Sequence, residues 1–180
     1  MPLRTSVFIA TSLDGFISRV DGSIDWLDKA NMLVPPGEDC GYKEFANSVD
    51  VMVMGRNTFD LVRTFDAWPY GDKRLIVSSR NPVEIPDELR KTVSASSEAP
   101  DVLVKRLESE GFEHAYIDGG VTIQRFLHAG LIDEITITLI PVLLGSGRPL
   151  FGALEQDLPL RLVQSKAYDF GFVQLKYTLR

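Results

Sequence analysis

Apolar and polar residues follow two patterns along the chain, one typical of buried strands and one typical of amphipathic helices. Short apolar runs predict strands at 6–10, 49–54, 74–78, 92–95 and 115–117. Apolar residues at helical spacing predict helices at about 39–48, from about 56, from 100 to about 111, and at about 121–129. Strands that alternate with helices indicate parallel pairing with right-handed crossovers.

The last third of the chain has a different pattern. Residues 132–142 alternate isoleucine or leucine with threonine, which predicts a long strand. Segments 160–167 and 172–179 predict a closing antiparallel pair, with the turn at or near 169–171. We therefore expect one α/β domain over residues 1–180, with a mostly parallel twisted sheet, antiparallel C-terminal edge strands and helices on both faces.

Composition limits the partners and the location. The 180 residues carry a net charge of -6 and a pI near 4.9, which argues against general binding to nucleic acid or an anionic membrane. The single cysteine, Cys40, excludes an internal disulfide and agrees with a cytoplasmic location. Two histidines and no cysteine pair argue against a metal site of the zinc type. No apolar run approaches 18 residues, so we expect no membrane span and no signal peptide.

Groups that bind anions follow three of the predicted strands. They are Gly55-Arg56-Asn57-Thr58, Ser78-Ser79-Arg80 and Gly119-Gly120-Val121-Thr122. Ligands of open α/β sheets bind at the carboxyl ends of strands, and helix starts there suit a pyrophosphate. Arg56 and Arg80 suit one further phosphate, so the pattern favours NADPH over NADH. The G-x-G-x-x-G signature is absent, which indicates a nucleotide-binding fold of another kind.

Five segments of the chain carry a family resemblance. They are 10–18 (Ala-Thr-Ser-Leu-Asp-Gly-Phe-Ile-Ser), 54–58 (Met-Gly-Arg-Asn-Thr), 77–80 (Val-Ser-Ser-Arg), 117–120 (Ile-Asp-Gly-Gly) and 141–151. Together they resemble the dihydrofolate-reductase-like fold, in the branch of the riboflavin-biosynthesis reductase or RibD C-terminal domain. Residues 21–27 look most like the small stand-alone members of that branch.

The resemblance implies a cofactor role for individual residues. Ala10 and Ile17 would border the nicotinamide, and Gly15 would lie in a loop that closes over it. Arg56 and Arg80, with Ser79, would hold the 2′-phosphate. The peptide between Gly119 and Gly120 is cis in the family. The full set of implied cofactor-binding residues is Ala10, Gly15, Ile17, Gly55, Arg56, Thr58, Ser78, Ser79, Arg80, Gly119, Gly120, Val121, Thr122 and Ile123.

The substrate side leaves alternatives open. Asp39 matches the carboxylate with which dihydrofolate reductases help to protonate the pterin, but it also suits an exposed helix N-cap. Phe8 stands where the riboflavin reductases carry a lysine, and Arg148 is a candidate for the replacement charge. Trp26 either belongs to the core or lines the substrate pocket.

The resemblance and the anion-binding residues lead to one main hypothesis. We expect an NADPH-dependent reductase of a small pterin or pyrimidine heterocycle, which includes 5-amino-6-(5-phosphoribosylamino)uracil. The alternatives are a dihydrofolate reductase that uses Asp39 and a module that binds NADPH without turnover. We also expect a homodimer, because the C-terminal strands would leave apolar surface exposed and the riboflavin-type relatives suggest pairing.

Overall fold

An eight-stranded sheet forms the centre of the protein in the computed structural model, which describes residues 2–179. The strands in this range are β1 (Arg4–Ser12), β2 (Phe16–Ser18), β3 (Val51–Gly55), β4 (Arg74–Ser78), β5 (Val93–Ser96), β6 (His114–Asp118), β7 (Glu134–Ile140), β8 (Arg148–Pro149), β9 (Arg161–Ala167) and β10 (Val173–Thr178). The helices are α1 (Asp25–Asn31), α2 (Tyr42–Ser48), α3 (Arg56–Val62), α4 (Pro100–Ser109) and α5 (Gly120–His128). No helix in this part of the chain is long and apolar enough to span a membrane.

The strand order of the large sheet is β5-β4-β3-β6-β1-β7-β10-β9. The six strands from β5 to β7 are parallel, while β10 runs antiparallel to both β7 and β9. Strands β2 and β8 form a separate two-stranded ribbon. The predicted fold, mostly parallel with an antiparallel C-terminal edge, is confirmed.

Helices cover both faces of the parallel strands. On one face, Leu103 of α4 and Phe126 of α5 pack with Val7 of β1. On the other face, Phe59 of α3 and Phe45 of α2 pack with residues of β3 and β4. Strands covered on both sides read as continuous apolar runs, which is why the sequence indicated them.

Some short elements differ from the prediction. Helix α1 has seven residues, and the β2–β8 ribbon pairs strands of three and two residues. Such lengths contain too little of a helical or strand period to be recognised. The helix predicted from about residue 39 begins at Tyr42.

Phe59 and Phe65 offer a matched test of the core. Phe59 is fully buried, whereas Phe65 is 44% exposed just beyond the end of the same helix. We expect Phe59→Ala to lower the free energy of unfolding by about 3–5 kcal/mol through the cavity it leaves. Phe65→Ala should lower it by at most about 1 kcal/mol. Equal shifts of the two variants in chemical denaturation would contradict this description of the core.

Candidate functional site

The predicted anion-binding segments lie together at the carboxyl edge of the parallel strands. Gly55 at the end of β3 pairs with Ser78 at the end of β4. On the other side of β3, Met54 pairs with Asp118 at the end of β6. The starts of α3 and α5 therefore meet at one edge of the sheet, as the strand order requires.

Glycines allow the two strand–helix junctions to touch. A Cβ atom at Gly55 would lie 2.9 Å from the Thr122 hydroxyl oxygen. A Cβ atom at Gly119 would lie 2.5 Å from the Thr58 hydroxyl oxygen, and Gly119 has a φ of +86°. Side chains do not fit at such distances, and few residues other than glycine adopt this φ. The junction of β3 with α3 is thus locked against the junction of β6 with α5.

The expected cis peptide between Gly119 and Gly120 is wrong, since the structure contains no cis peptide among the described residues. The positive φ of Gly119 provides the close approach through a trans bond. At Gly120 a Cβ atom would lie 2.8 Å from the end of the Ile17 side chain, so Ile17 packs directly against the start of α5.

A group of arginines surrounds the ends of β3 and β4. Arg56 and Arg80 are exposed, and the guanidinium of Arg125 donates to the Ser78 hydroxyl at 3.3 Å. Within residues 2–179, none of the three arginines has a carboxylate within ion-pair distance. The edge therefore carries uncompensated positive charge in a protein whose net charge is -6. The Ser79 hydroxyl instead bonds the backbone of the following turn.

Arg125 was missed in the sequence. It lies three residues after Thr122, so it falls on the same side of α5 as the threonine that faces Gly55. That spacing was the available signal. The proximity of Arg125 to Ser78 depends on how α5 packs against the sheet, and the sequence pattern does not predict that packing.

The segment around Gly15, expected to be a loop that closes over the nicotinamide, is bound to the glycine-rich loop after β7. The Asp14 carboxylate accepts from the backbone N–H groups of Leu144 and Gly145, and the Gly15 carbonyl accepts from Leu150 N–H. The β2–β8 ribbon continues this connection. Ile17, in β2, is thereby held against Gly120 at the start of α5.

Three neighbouring residues of α5 have different positions. Thr122 is buried, and its hydroxyl lies beside Gly55 at the junction. Val121 is 68% exposed, and Ile123 is fully buried in the core. The side of α5 that carries Ile123 thus packs against the sheet, and the place of Ile123 beside a cofactor stays a prediction.

Trp26 is 3% exposed and packs with Ile140 and Phe172, which supports the core alternative. Ala10 belongs to the same cluster. The indole N–H of Trp26 has no partner among the described residues, and buried polar atoms of this kind are uncommon.

Arg148, in β8, is exposed and donates through Nε to the carbonyl of Val20 at 3.2 Å. Its guanidinium lies against Gly22. The described contacts of this side chain hold the turn after β2. A charge-supplying role towards substrate remains a prediction.

Asp39 does not meet the conditions for a buried proton donor. Its carboxylate is exposed and accepts from the backbone N–H groups of Lys43 and Gly41, both at 2.9 Å. These bonds, that from Lys43 first, lower the pKa of Asp39. The geometry is that of a helix cap, which is one of the two alternatives that the sequence left open for Asp39.

Asp118 has the properties that Asp39 lacks. Asp118 is partly buried, and desolvation raises its pKa to about 6. Its hydrogen bond from Gly119 N–H, at 2.8 Å, opposes the shift. Of the described residues, none forms an ion pair with it. The carboxylate directly before the two glycines was visible in the sequence, but its burial was not.

A cavity of about 300 Å³ lies between α2 and the strands β7, β9 and β10. Its charged side chains are Glu44, Glu134, Lys166 and Lys176. Lys176 and Glu134 form an ion pair at 3.0 Å. Phe8 and Phe45 also line the cavity, so it adjoins the face of the sheet that holds Asp118.

The charge of Asp118 should lower the stability of the protein at neutral pH. A carboxyl whose pKa rises from 3.8 to about 6 on folding loses up to roughly 3 kcal/mol of stability once it is ionised. This loss is complete above about pH 6 and absent below the unfolded-state value. Asp118→Asn should therefore raise the free energy of unfolding at pH 7 by a similar amount, and the gain should vanish towards pH 4 in denaturation experiments.

Asp14→Asn is a control for which we expect the opposite change in stability at pH 7. A hydrogen bond from the Ser12 hydroxyl is the largest cause that lowers the pKa of Asp14. Desolvation opposes it, and hydrogen bonds from Gly145 and Leu144 N–H lower the pKa further. Its ionised form stabilises the fold above the unfolded-state pKa, so this variant should be less stable at pH 7 and lose the deficit in acid. A destabilised Asp118→Asn at pH 7 would contradict the burial of an unpaired charge.

Comparisons with known proteins agree with this arrangement. Residues 5–174 match the model of the RibD C-terminal domain. The chain is 39% identical to the uncharacterized protein YwjB of Bacillus subtilis (strain 168), over 98% of each chain. A putative riboflavin biosynthesis protein from Shewanella sp. PV-4 superposes with a TM-score of 0.92 at 41% identity, over 99% of each chain.

A more distant structure shows the same fold. It is the diaminohydroxyphosphoribosylaminopyrimidine deaminase/5-amino-6-(5-phosphoribosylamino)uracil reductase of Thermotoga maritima, with a TM-score of 0.74 and 13% identity. The match covers 99% of this chain and 57% of the Thermotoga chain. The family model spans nearly all of the sequence, and the chain belongs to the RibD C-terminal domain family.

Proposed function

We propose that the protein is an NADPH-dependent reductase of a small nitrogen heterocycle. The observation that carries the proposal is the set of three unpaired arginines, Arg56, Arg80 and Arg125, at the carboxyl edge of the sheet. A 2′-phosphate supplies the negative charge that this edge lacks, and the ribose hydroxyls of NADH do not. The membership in a family of reductases supports the same reaction type.

The residues present fit such a cofactor. The contact between the two junctions brings the backbone at Gly119 close to the Thr58 hydroxyl, and Gly120 lies beside Ile17. We assign the pyrophosphate to this backbone and Thr58, and the 2′-phosphate to the arginines with Ser79. Ala10, Gly15 and Ile17 remain our candidates for the nicotinamide end. When bound, NADPH supplies a hydride.

The chain itself has two tasks in this reaction. The β2–β8 ribbon and Ile17 exclude water beside Gly120, and they hold reactants in one orientation. Asp118 takes up and releases a proton at about pH 6, close to the working range of a general acid or base. We therefore assign proton handling to Asp118 in place of Asp39. A dihydrofolate reductase that depends on Asp39 loses its support, because that carboxylate is an exposed cap.

The names of the relatives support a reductase reaction, and the substrate has to be identified by experiment. The Thermotoga protein is named as a reductase of 5-amino-6-(5-phosphoribosylamino)uracil, and the Shewanella protein as a putative riboflavin biosynthesis protein. Consumption of NADPH with a panel of pterins and pyrimidines tests turnover directly. If the protein binds NADPH but consumes it with none of these compounds, the result would favour a module that binds NADPH without turnover.

The cofactor assignment predicts a strong preference for NADPH in calorimetry. Charge-assisted bonds to a phosphate contribute about 1.5–3 kcal/mol each. Replacing Arg56 and Arg80 together by alanine should weaken the binding of NADPH by roughly 10²–10⁴-fold, while the affinity for NADH should change little. Arg125→Ala should also weaken the binding of NADPH.

Arg90→Ala is the matched control, because Arg90 is paired with Asp87 far from this edge and should leave both affinities unchanged. Equal affinity of the unmodified protein for NADPH and NADH would refute the cofactor assignment.

We further propose a homodimer that covers the C-terminal edge of the sheet. All seven residues of β9 are exposed, and Leu162 and Val163 are 53% and 51% exposed. Leu162 pairs with Tyr177 of β10, which pairs with Ile135 in the core, so an apolar row continues outward to the edge. A second copy related by twofold symmetry can cover such a row with the same surface.

Light scattering at micromolar concentration should therefore give twice the chain mass of 20.1 kDa. Leu162→Glu should shift the mass to that of one chain, because it places a charge in the covered row. Val102→Glu, at a residue of α4 that is 48% exposed, should leave the dimer intact. A mass of only one chain for the unmodified protein would rule out this dimer.

A further inference from the structure

The cavity between α2 and the antiparallel edge strands has a polar floor. A row of paired residues forms this floor across four strands: Phe8 of β1, Thr136 of β7, Lys176 of β10 and Gln164 of β9. Phe45 of α2 covers only the first of them, with the two ring centroids 4.9 Å apart. A sheet face beneath a helix is usually apolar, whereas this row is polar from β7 outward. The cavity of about 300 Å³ above it has the size of a small-molecule site.

This cavity is separate from the proposed cofactor edge and from the proposed dimer surface. Glu134, which also lines it, is the first residue of β7, so the cavity extends towards the amino ends of the parallel strands. A register shift places Gln164 opposite Lys176 but Leu162 opposite Tyr177. Consecutive residues of a strand point to opposite faces, so Gln164 and Leu162 also point to opposite faces. The apolar row through Leu162 therefore lies on the other side of the sheet.

Two sets of internal contacts hold the walls of the cavity in place. The Gln174 side-chain amide donates to the Cys40 carbonyl at 2.9 Å and to the Thr138 hydroxyl at 3.0 Å, which fixes the segment before α2 to the sheet. Lys176 pairs with Glu134 at 3.0 Å, so these two charges neutralise each other. The bonding capacity of these side chains is largely used within the protein.

Glu44 and Lys166 are the two other charged side chains of the cavity. Glu44 lines it from α2, and Lys166 lines it from β9. Within residues 2–179, neither side chain forms an ion pair. The Lys166 ammonium lies 4.3 Å from the centre of the Tyr168 ring, and this cation–π contact holds it at the cavity. One negative and one positive group, on different walls, are thus available to a ligand.

We propose that this cavity binds a small zwitterion of the ω-amino acid type. Its ammonium pairs with Glu44 and its carboxylate with Lys166, while its apolar spacer contacts the rings of Phe8 and Phe45. A ligand with two carboxylates would place one of them beside Glu44, and a ligand with two ammonium groups would place one beside Lys166. Both arrangements juxtapose like charges, which is unfavourable. The inference does not depend on the proposed reductase activity.

Calorimetric titration of the full chain tests the inference with three probes of equal chain length: 6-aminohexanoate, adipate and 1,6-diaminohexane. These probes differ in the charge of their ends, so they separate charge recognition from apolar contact. We expect 6-aminohexanoate to bind with a dissociation constant of about 1 mM or tighter, and roughly 10-fold more tightly than the other two. Lys166→Met and Glu44→Gln should each weaken its binding by roughly 10-fold, the effect of one lost charge-assisted bond.

Variants with reversed charge should change which probe binds best. Glu44→Lys should favour adipate, and Lys166→Glu should favour 1,6-diaminohexane, because each makes the two available charges alike. A side chain that only supports the fold would not change this order. Lys105→Glu is the matched control, since Lys105 is exposed on α4 on the other side of the sheet and should leave the order of the three probes unchanged.

Three results would overturn the inference. They are the failure of 6-aminohexanoate to bind at millimolar concentration, equal affinity of the unmodified protein for the three probes, and an unchanged order in reversed-charge variants that are folded in denaturation experiments. NADPH titration of the same proteins is a separate readout, because Glu44 and Lys166 lie outside the proposed cofactor site. A failure to bind NADPH would refute the proposed function, while the titrations with the three probes would still decide this inference.

Discussion

The contact between the two strand–helix junctions determines the arrangement of the whole site. Gly55 faces Thr122 and Gly119 faces Thr58 at distances that no side chain could share. Because each glycine belongs to one junction and each threonine to the other, neither helix can shift without opening the contact. The position of the arginines at the ends of β3 and β4, and of Asp118 at the end of β6, follows from this contact.

Two kinds of unpaired charge lie on either side of that contact. The arginines carry excess positive charge at the exposed edge, and Asp118 carries negative charge on the face covered by α2. Neither is neutralised by another described residue, although ion pairs occur elsewhere on the surface, as between Arg19 and Asp25. Sites that bind ligands commonly retain such unfavourable groups, since pairing them internally would remove the attraction for the ligand.

The sequence predicted the sheet because its central strands are covered on both faces and therefore appear as continuous apolar runs. It also predicted that the segments that begin at Gly55 and Gly119 would lie at the carboxyl ends of the strands, where ligands of such sheets bind. It could not distinguish the two carboxylates, Asp39 and Asp118, because burial depends on neighbours distant in the chain. Tyr42 and Tyr70, whose pKa values are raised by burial and, to a smaller extent, by the charge of Asp118, lie in segments far from β6. Arg125 was missed for the same reason, as its partner Ser78 lies on another element.

The β2–β8 ribbon has a consequence for the synthesis of the protein. Ile17 emerges from the ribosome early, but Pro149, whose carbonyl lies beside Gly120 with it, emerges only after all six parallel strands. Until then the start of α5 lacks its contact with Pro149. If the proposed cofactor site is correct, a nascent chain would complete its parallel sheet before it could enclose the nucleotide, and the nucleotide would stabilise the finished chain but not its translation intermediates.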